Sequence, residues 1–280
     1  MAVYKQYDQQ QLNDQYNNRL QVPGFAEYFE RWEKASRYTE KAQVVFRDIF
    51  YGTHPLECLD VFPAAIPNAK TLVFIHGGYW HLLDKKMFHF LAPAFLEKNV
   101  TIVLLNYPLA PLVSMDTIVS SCRRAMVWLQ NNLTNYNGNP KQVYVAGHSA
   151  GGHLACMLAC DNNTNFLKGI ISLSGLYDLE PLRLSDINTI LQMDSAMSVR
   201  NSPIDVGLVH PCPLLLAVGG DETDEFKEQA HKMYEYCNDK RHDVQLMYIP
   251  GKNHFSILDA VTEPGSLLQS AIFRLMEIEG

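Results

Sequence analysis

The sequence predicts an α/β protein with a mostly parallel central sheet of about eight strands and helices on both faces. Three observations predict it. Short apolar or β-branched runs alternate with helical patterns along most of the 280 residues. Several of these runs are apolar without polar interruption, as strands covered on both faces must be. A glycine-flanked serine stands where one such run passes into a helical stretch.

Taken in order, the strand candidates are Val44 to Phe50, Glu57 to Phe62, Thr71 to Ile75, Thr101 to Asn106, Gln142 to Ala146, Gly169 to Leu173, Pro213 to Val218 and Val244 to Ile249. Helix candidates fall at Lys86 to Lys98, Ser114 to Asn131, Ala150 to Cys160, Glu225 to Asn238 and Gly265 to Ile278. No helix separates the first two strands, so they are expected to pair as an antiparallel hairpin at one edge. No repeat or low-complexity linker divides the chain, and residues 1–280 are read as one domain. Two segments lie outside the alternation: residues 1–41, helical and carrying Phe25, Tyr28, Phe29 and Trp32, and residues 176–209, broken into short pieces. Either they cap a pocket above the strand ends or the aromatic stripe packs on the sheet.

Composition narrows the functional classes. A net charge of -7 and the absence of a Lys/Arg cluster beside stacking aromatics argue against nucleic acid. No run approaches the ~18 apolar residues of a membrane span, and the first twenty residues lack the basic and apolar regions of a leader. A cytoplasmic protein with a small-molecule substrate and no membrane partner is expected; its oligomeric state stays open, a homodimer being one option. The six cysteines form no C-x-x-C pair and read as reduced, mostly buried thiols. Cys156 and Cys160, four apart, share a helix face and are expected in the core.

The serine is the chemical centre. Gly147-His148-Ser149-Ala150-Gly151 follows the run Gln142 to Ala146 and precedes a helix, the arrangement of a nucleophile elbow. Small residues two positions either side are needed because Cβ atoms there would clash across so tight a turn. The helix N-terminus behind Ser149 favours negative charge. A glycine-flanked turn serine without chemistry would look the same in isolation, so neighbouring motifs must decide.

His76-Gly77-Gly78-Tyr79-Trp80 directly follows the strand Thr71 to Ile75. Attack on a carbonyl concentrates charge on its oxygen, and the N–H groups of Gly77 and Gly78, with that of Ala150, are the candidate oxyanion hole. A serine hydroxyl also needs a base, and the base an acid, in the chain order serine, acid, histidine. His254, after the last strand, is the candidate base among ten histidines; His81, His148 and His153 are assigned wall or packing roles. Asp221, after the strand Pro213 to Val218 and its two glycines, is the favoured acid. Glu222 and Asp224 in the same loop are alternatives, and Asp178 lies one crossover too early. No metal-ligand spacing is visible, and neither metal nor cofactor is expected.

HGGYW, NYPLAP (Asn106 to Pro111), GHSAGGHL (Gly147 to Leu154), SGLYDLEPL (Ser174 to Leu182), GGDETDEF and GKNHF together resemble the α/β-hydrolase superfamily in its hormone-sensitive-lipase-like esterase branch. Within that branch the chain is most similar to the kynurenine formamidase (arylformamidase) group, from the YNNR beginning at Tyr16 to the end. The resemblance implies an α/β-hydrolase fold and hydrolysis of N-formyl-L-kynurenine to L-kynurenine and formate. Carried onto this chain, Ser149 would attack the formyl carbon, Gly77, Gly78 and Ala150 would hold the oxyanion, and His254, oriented by Asp221, would transfer the protons.

The pocket is a separate matter. Tyr79 and Trp80 are candidates to stack an aryl ring, and Ser185 and Asn188 to bind the amino-acid end. The same triad would also serve a carboxylesterase or deacylase acting on small acyl esters. A catalytically idle binding protein on a hydrolase scaffold is the third alternative.

Overall fold

Eight strands form one sheet in the computed structural model, which describes residues 2–209 and 212–278. They are β1 (Phe46–Phe50), β2 (Cys58–Phe62), β3 (Ala69–Ile75), β4 (Thr101–Leu105), β5 (Gly138–His148), β6 (Leu167–Leu173), β7 (Leu214–Gly219) and β8 (Val244–Ile249), in the order β1-β2-β4-β3-β5-β6-β7-β8. β1 and β2 form the expected antiparallel edge pair, and β2 also runs antiparallel to β4. All pairings from β4 to β8 are parallel. The α/β class predicted from the alternation is the observed one.

The two-residue period of the strands sorts the core into two layers. Val73, Ile75, Val103, Leu105 and Val145 face one side, against the helices Met115–Asn132 and Ala150–Ala159. Leu72, Phe74, Ile102, Leu104 and Ala146 face the other, against the helices Ile257–Thr262 and Leu267–Leu275. Every residue of β4 and β7 is buried, which is why those runs carry no polar alternation. Cys156 and Cys160 belong to the first layer, and burial pushes the Cys160 thiol up to about 12.

Local chemistry moves some boundaries. The expected helix from Lys86 splits into a 3-10 segment Lys85–Leu91 and an α-helix Ala92–Leu96. Pro93 explains the break: it has no N–H, and its ring opposes the carbonyl four residues back, so it is tolerated only in a first turn. At the C-terminal end Ser266 caps a helix that starts at Leu267, its Oγ accepting from Gln269 N at 3.0 Å. A separate helix, Ile257–Thr262, precedes it.

The 18-residue helix Phe25–Ala42 lays its aromatic stripe on the second layer. Trp32 is buried against Phe88, Phe90 and Phe255, and Tyr28 stacks on Phe255 with ring centroids 5.8 Å apart. Residues 176–209 form four short helices above the sheet. No helix among the described residues is long and apolar enough to cross a membrane.

Candidate active site

β5 ends at His148 and the helix Ala150–Ala159 begins two residues later, so Ser149 alone makes the turn, at φ 56° and ψ -120°. A non-glycine residue in that region is strained and persists only where its surroundings over-determine it. Those surroundings are visible. A Cβ on Gly147 would lie 2.0 Å from the Gly151 carbonyl oxygen, and one on Gly151 would lie 1.9 Å from that of Ile75. The amide of Ser149 donates to Leu173 O at 2.8 Å, tying the elbow to β6.

The His76–Gly78 loop lies against this elbow. A Cβ on Gly77 would stand 2.9 Å from His148 O and 3.1 Å from Ser149 Cβ, so only a glycine backbone approaches so closely. Gly78 follows at φ 102°, and Tyr79 and Trp80 at 47° and 57°. The NYP segment fixes the loop: Tyr107 donates its hydroxyl to His76 O at 2.9 Å, and Asn106 Oδ1 lies 3.1 Å from His76 Nε2. Asn106 Oδ1 also accepts from Lys85 N at 2.8 Å, and its Nδ2 donates to Asp84. Ala150 is the first residue of its helix, where backbone N–H groups lack intrahelical partners.

The acid position corrects the sequence expectation. His254 Nδ1 lies 2.7 Å from Glu222 Oε2, while Asp221 is exposed. Asp224 is the first residue of the helix Asp224–Asp239 and pairs with Lys227 at the surface. The reason is the turn after β7. Glu222 N donates back to Gly219 O at 3.2 Å and Asp221 N to Lys252 O at 3.1 Å, which folds residue 222 inward and leaves Asp221 outside. The other Glu222 oxygen accepts from Gly219 N at 2.7 Å and from Ser174 Oγ at 2.5 Å. Both oxygens are therefore oriented, and the side chain is fully buried. Ser174, at φ 49°, holds the acid's other oxygen from across the site, a task that its motif alone does not reveal.

Ser149, His148 and His254 line one cavity of about 360 Å³ with Gly78, Tyr79 and Phe255. Tyr16, Phe29 and Trp32 of the N-terminal segment and Ser185 and Ile187 of the 176–209 segment complete the walls. The aromatic stripe thus packs on the sheet and borders the cavity at once. Tyr79 donates its hydroxyl to Tyr16 O at 2.6 Å, joining the glycine loop to that wall.

Two expected pocket residues lie elsewhere. Trp80 is fully buried outside the cavity lining, its Nε1–H donated to His153 Nδ1 at 3.2 Å. Successive left-handed residues turn the chain so that Tyr79 meets the cavity and Trp80 the core. Asn188 clips its own loop, Nδ2 donating to Met193 O at 3.0 Å and Oδ1 accepting from Met193 N at 2.8 Å. Ser185 does line the cavity, but its Oγ donates to Leu182 O.

His148, His153 and His81 pack against the backbone or line the cavity. His148 Nε2 lies 2.7 Å from His254 O, which sets it as the donor and clamps the histidine loop to the elbow; burial, then the neighbouring His254, holds its imidazole well below the ordinary range. His153 Nε2 donates to Asn201 O at 2.6 Å, and burial lowers its pKa to about 4. His81 lines the cavity. Among the described residues, no group of three or more His, Cys, Asp or Glu side chains is placed to hold a metal ion.

Known proteins share this architecture. The BD-FAE family model matches residues 59–188. A kynurenine formamidase from Danio rerio is 30% identical over 254 residues, covering 85% of each chain. An isoprenylcysteine alpha-carbonyl methylesterase from Arabidopsis thaliana is 29% identical over 152 residues, 54% of this chain and 34% of that protein. Among solved structures, a candidate thioesterase from Silicibacter sp. TM1040 superposes with a TM-score of 0.82 at 26% identity, covering 93% of this chain and 98% of that one. With 30% identity to the Danio rerio protein over 85% of each chain, the chain belongs to the kynurenine formamidase family of α/β-hydrolases.

Proposed function

We propose that the protein hydrolyses N-formyl-L-kynurenine to L-kynurenine and formate through a formyl-enzyme intermediate. The observation that carries the chemistry is the 2.7 Å contact between His254 Nδ1 and Glu222 Oε2 in a site whose cavity Ser149 and His254 both line. A carboxylate on Nδ1–H leaves Nε2 as the free base and stabilises the imidazolium once it forms. Ser149 Oγ attacks the formyl carbon and gives its proton to His254. The tetrahedral oxyanion is held by the N–H groups of Gly77, Gly78 and Ala150. Collapse breaks the C–N bond, and the aryl amine departs with the proton from His254. Water then attacks the formyl ester, losing its proton to His254, and formate leaves as Ser149 is reprotonated.

The substrate assignment is supported by the family and by the cavity, whose aromatic wall of Tyr16, Phe29, Trp32, Tyr79 and Phe255 suits an aryl ring. Residues 1–41 and 176–209 act as the cap. A reducing, cytoplasmic setting is supported by six free cysteines, five of them buried. The second reading is an esterase on small acyl esters, favoured by the methylesterase and thioesterase likenesses. Steady-state assays of wild type and Ser149→Ala on N-formyl-L-kynurenine and p-nitrophenyl acetate decide between them. Ser149-dependent deformylation far above ester cleavage is expected; ester cleavage with negligible deformylation would leave the esterase.

A further inference from the structure

Two charged side chains border the active-site cavity, one on each of the segments outside the strand-helix alternation: Arg19 from the N-terminal segment and Asp186 from the 176–209 insertion. Among the described residues neither forms an ion pair, with the other or with any third group, although such pairs are common elsewhere on them. Each is instead held in place by other means. The Arg19 guanidinium lies over the Phe25 ring, 5.3 Å from its centroid. Such contact on the flat face leaves the in-plane N–H groups free to fork a carboxylate. Its charge reaches the cavity wall, since it helps burial to depress the imidazole of His81 there. Asp186 is fixed through its backbone, whose N–H donates to Asn13 Oδ1 at 2.9 Å, so the carboxylate itself keeps its acceptor capacity.

We propose that Arg19 and Asp186 are specificity-determining residues that select a substrate bearing a zwitterionic α-amino-acid head, Arg19 forking the α-carboxylate and Asp186 accepting from the α-ammonium. This rests on the formamidase assignment for the scissile bond, and it moves recognition of the amino-acid end away from Ser185 and Asn188, whose polar atoms are engaged within their own loop. One Arg and one Asp, the only Lys, Arg, Asp or Glu in the cavity lining, match a head with both charges better than an acid or an amine alone. A purely neutral aryl ester leaves both unused.

The test compares matched substrates. N-formylkynuramine lacks only the carboxylate, and 3-(2-formamidobenzoyl)propanoate lacks only the ammonium group. For Arg19→Gln, the ratio of kcat/KM for N-formyl-L-kynurenine to that for N-formylkynuramine should fall about tenfold, with the change in KM, as an exposed charge-assisted contact predicts. Asp186→Asn should lower the ratio to the propanoate by a similar factor. Unchanged ratios would overturn the proposal. If wild type cleaves no formanilide, the formamidase assignment fails separately, and the same variants are then read on O-acetyl-L-tyrosine against O-acetyltyramine and phenyl acetate. Loss of wild-type preference for the zwitterion in the variants would sustain the two residues' role; absence of any preference in wild type would end it.

Discussion

Ser174 donates its hydroxyl to Glu222 Oε1 at 2.5 Å, so the carboxylate that faces His254 is itself held from β6, two strands away from the histidine loop. The serine sits at φ 49°, beyond the C-terminal end of its strand, and its own amide donates to Ala217 O at 2.7 Å. Strand ends, elbow and acid are joined through hydrogen bonds that the strained backbone makes available.

Removal of the carboxylate should be far more costly than removal of its neighbours. Glu222→Gln is expected to lower kcat by ~10⁴-fold, the scale for a triad acid replaced by its amide. Asp221→Asn and Asp224→Asn should stay near wild type, because both side chains are at the surface. Steady-state kcat for the three variants checks this; a collapse confined to Asp221→Asn would reverse the assignment.

Ser174→Ala should lower kcat by about tenfold, the effect of losing one hydrogen bond to a charged group. Gly219 N still holds the same oxygen, so the carboxylate is loosened rather than freed. KM and thermal stability should change little. A fall in KM-linked binding with unchanged kcat would show that Ser174 serves the pocket instead.

The two glycine environments separate folding from chemistry. Gly151→Ala would put a Cβ 1.9 Å from the Ile75 carbonyl oxygen, between strand and helix backbones that have nowhere to move, and should fail to give folded protein. Gly77→Ala meets His148 O at 2.9 Å and Ser149 Cβ at 3.1 Å, a far milder conflict that small shifts relieve. It should fold and lose ~100-fold or more in kcat through the displaced oxyanion donors. Circular dichroism alongside kinetics distinguishes the two.

Acid should destabilise the fold through His153. Burial lowers its folded pKa to about 4 against 6.5 for the ordinary imidazole. The unfolded chain therefore binds a proton that the native state refuses, and stability present above pH 6.5 is lost as pH falls towards 4, by up to ~3 kcal/mol. His148, also held low by burial, acts in the same sense. Urea unfolding of wild type and His153→Gln between pH 7 and 4 should show the steeper decline in wild type.

Much of this site was legible because its parts are short and local. The elbow serine, the two glycines and the late histidine each depend on a few adjacent residues, and the strand runs placed them at one end of the sheet. Glu222 is harder to read, since three candidate acids fall within four residues and the choice among them rests on how the Gly219–Glu222 turn folds against Lys252. Trp80 departs from expectation for a related reason: left-handed backbone at two consecutive non-glycine residues reverses which ring meets the cavity, and propensity gives no hint of it. Arg19 and Asp186 come together only through tertiary placement of segments 167 residues apart, beyond any local pattern.

The N-terminal helix Gln9–Tyr16 has a consequence for the nascent chain. Gln15 and Tyr16 are anchored by Tyr79 and, more than two hundred residues later, by Thr223 and Glu225: Thr223 Oγ1 donates to Gln15 O at 2.8 Å, Glu225 N to Gln15 Oε1 at 3.1 Å, and Tyr16 OH to Glu225 Oε2 at 3.3 Å. The earlier segment thus waits for one some two hundred residues further along before its wall of the cavity can be fastened. Closure of so long a loop comes late in folding, and the acid, the histidine and the anchor for that wall lie close together in the chain, at residues 222 to 254. The cavity is therefore fully walled only once these two distant segments have met.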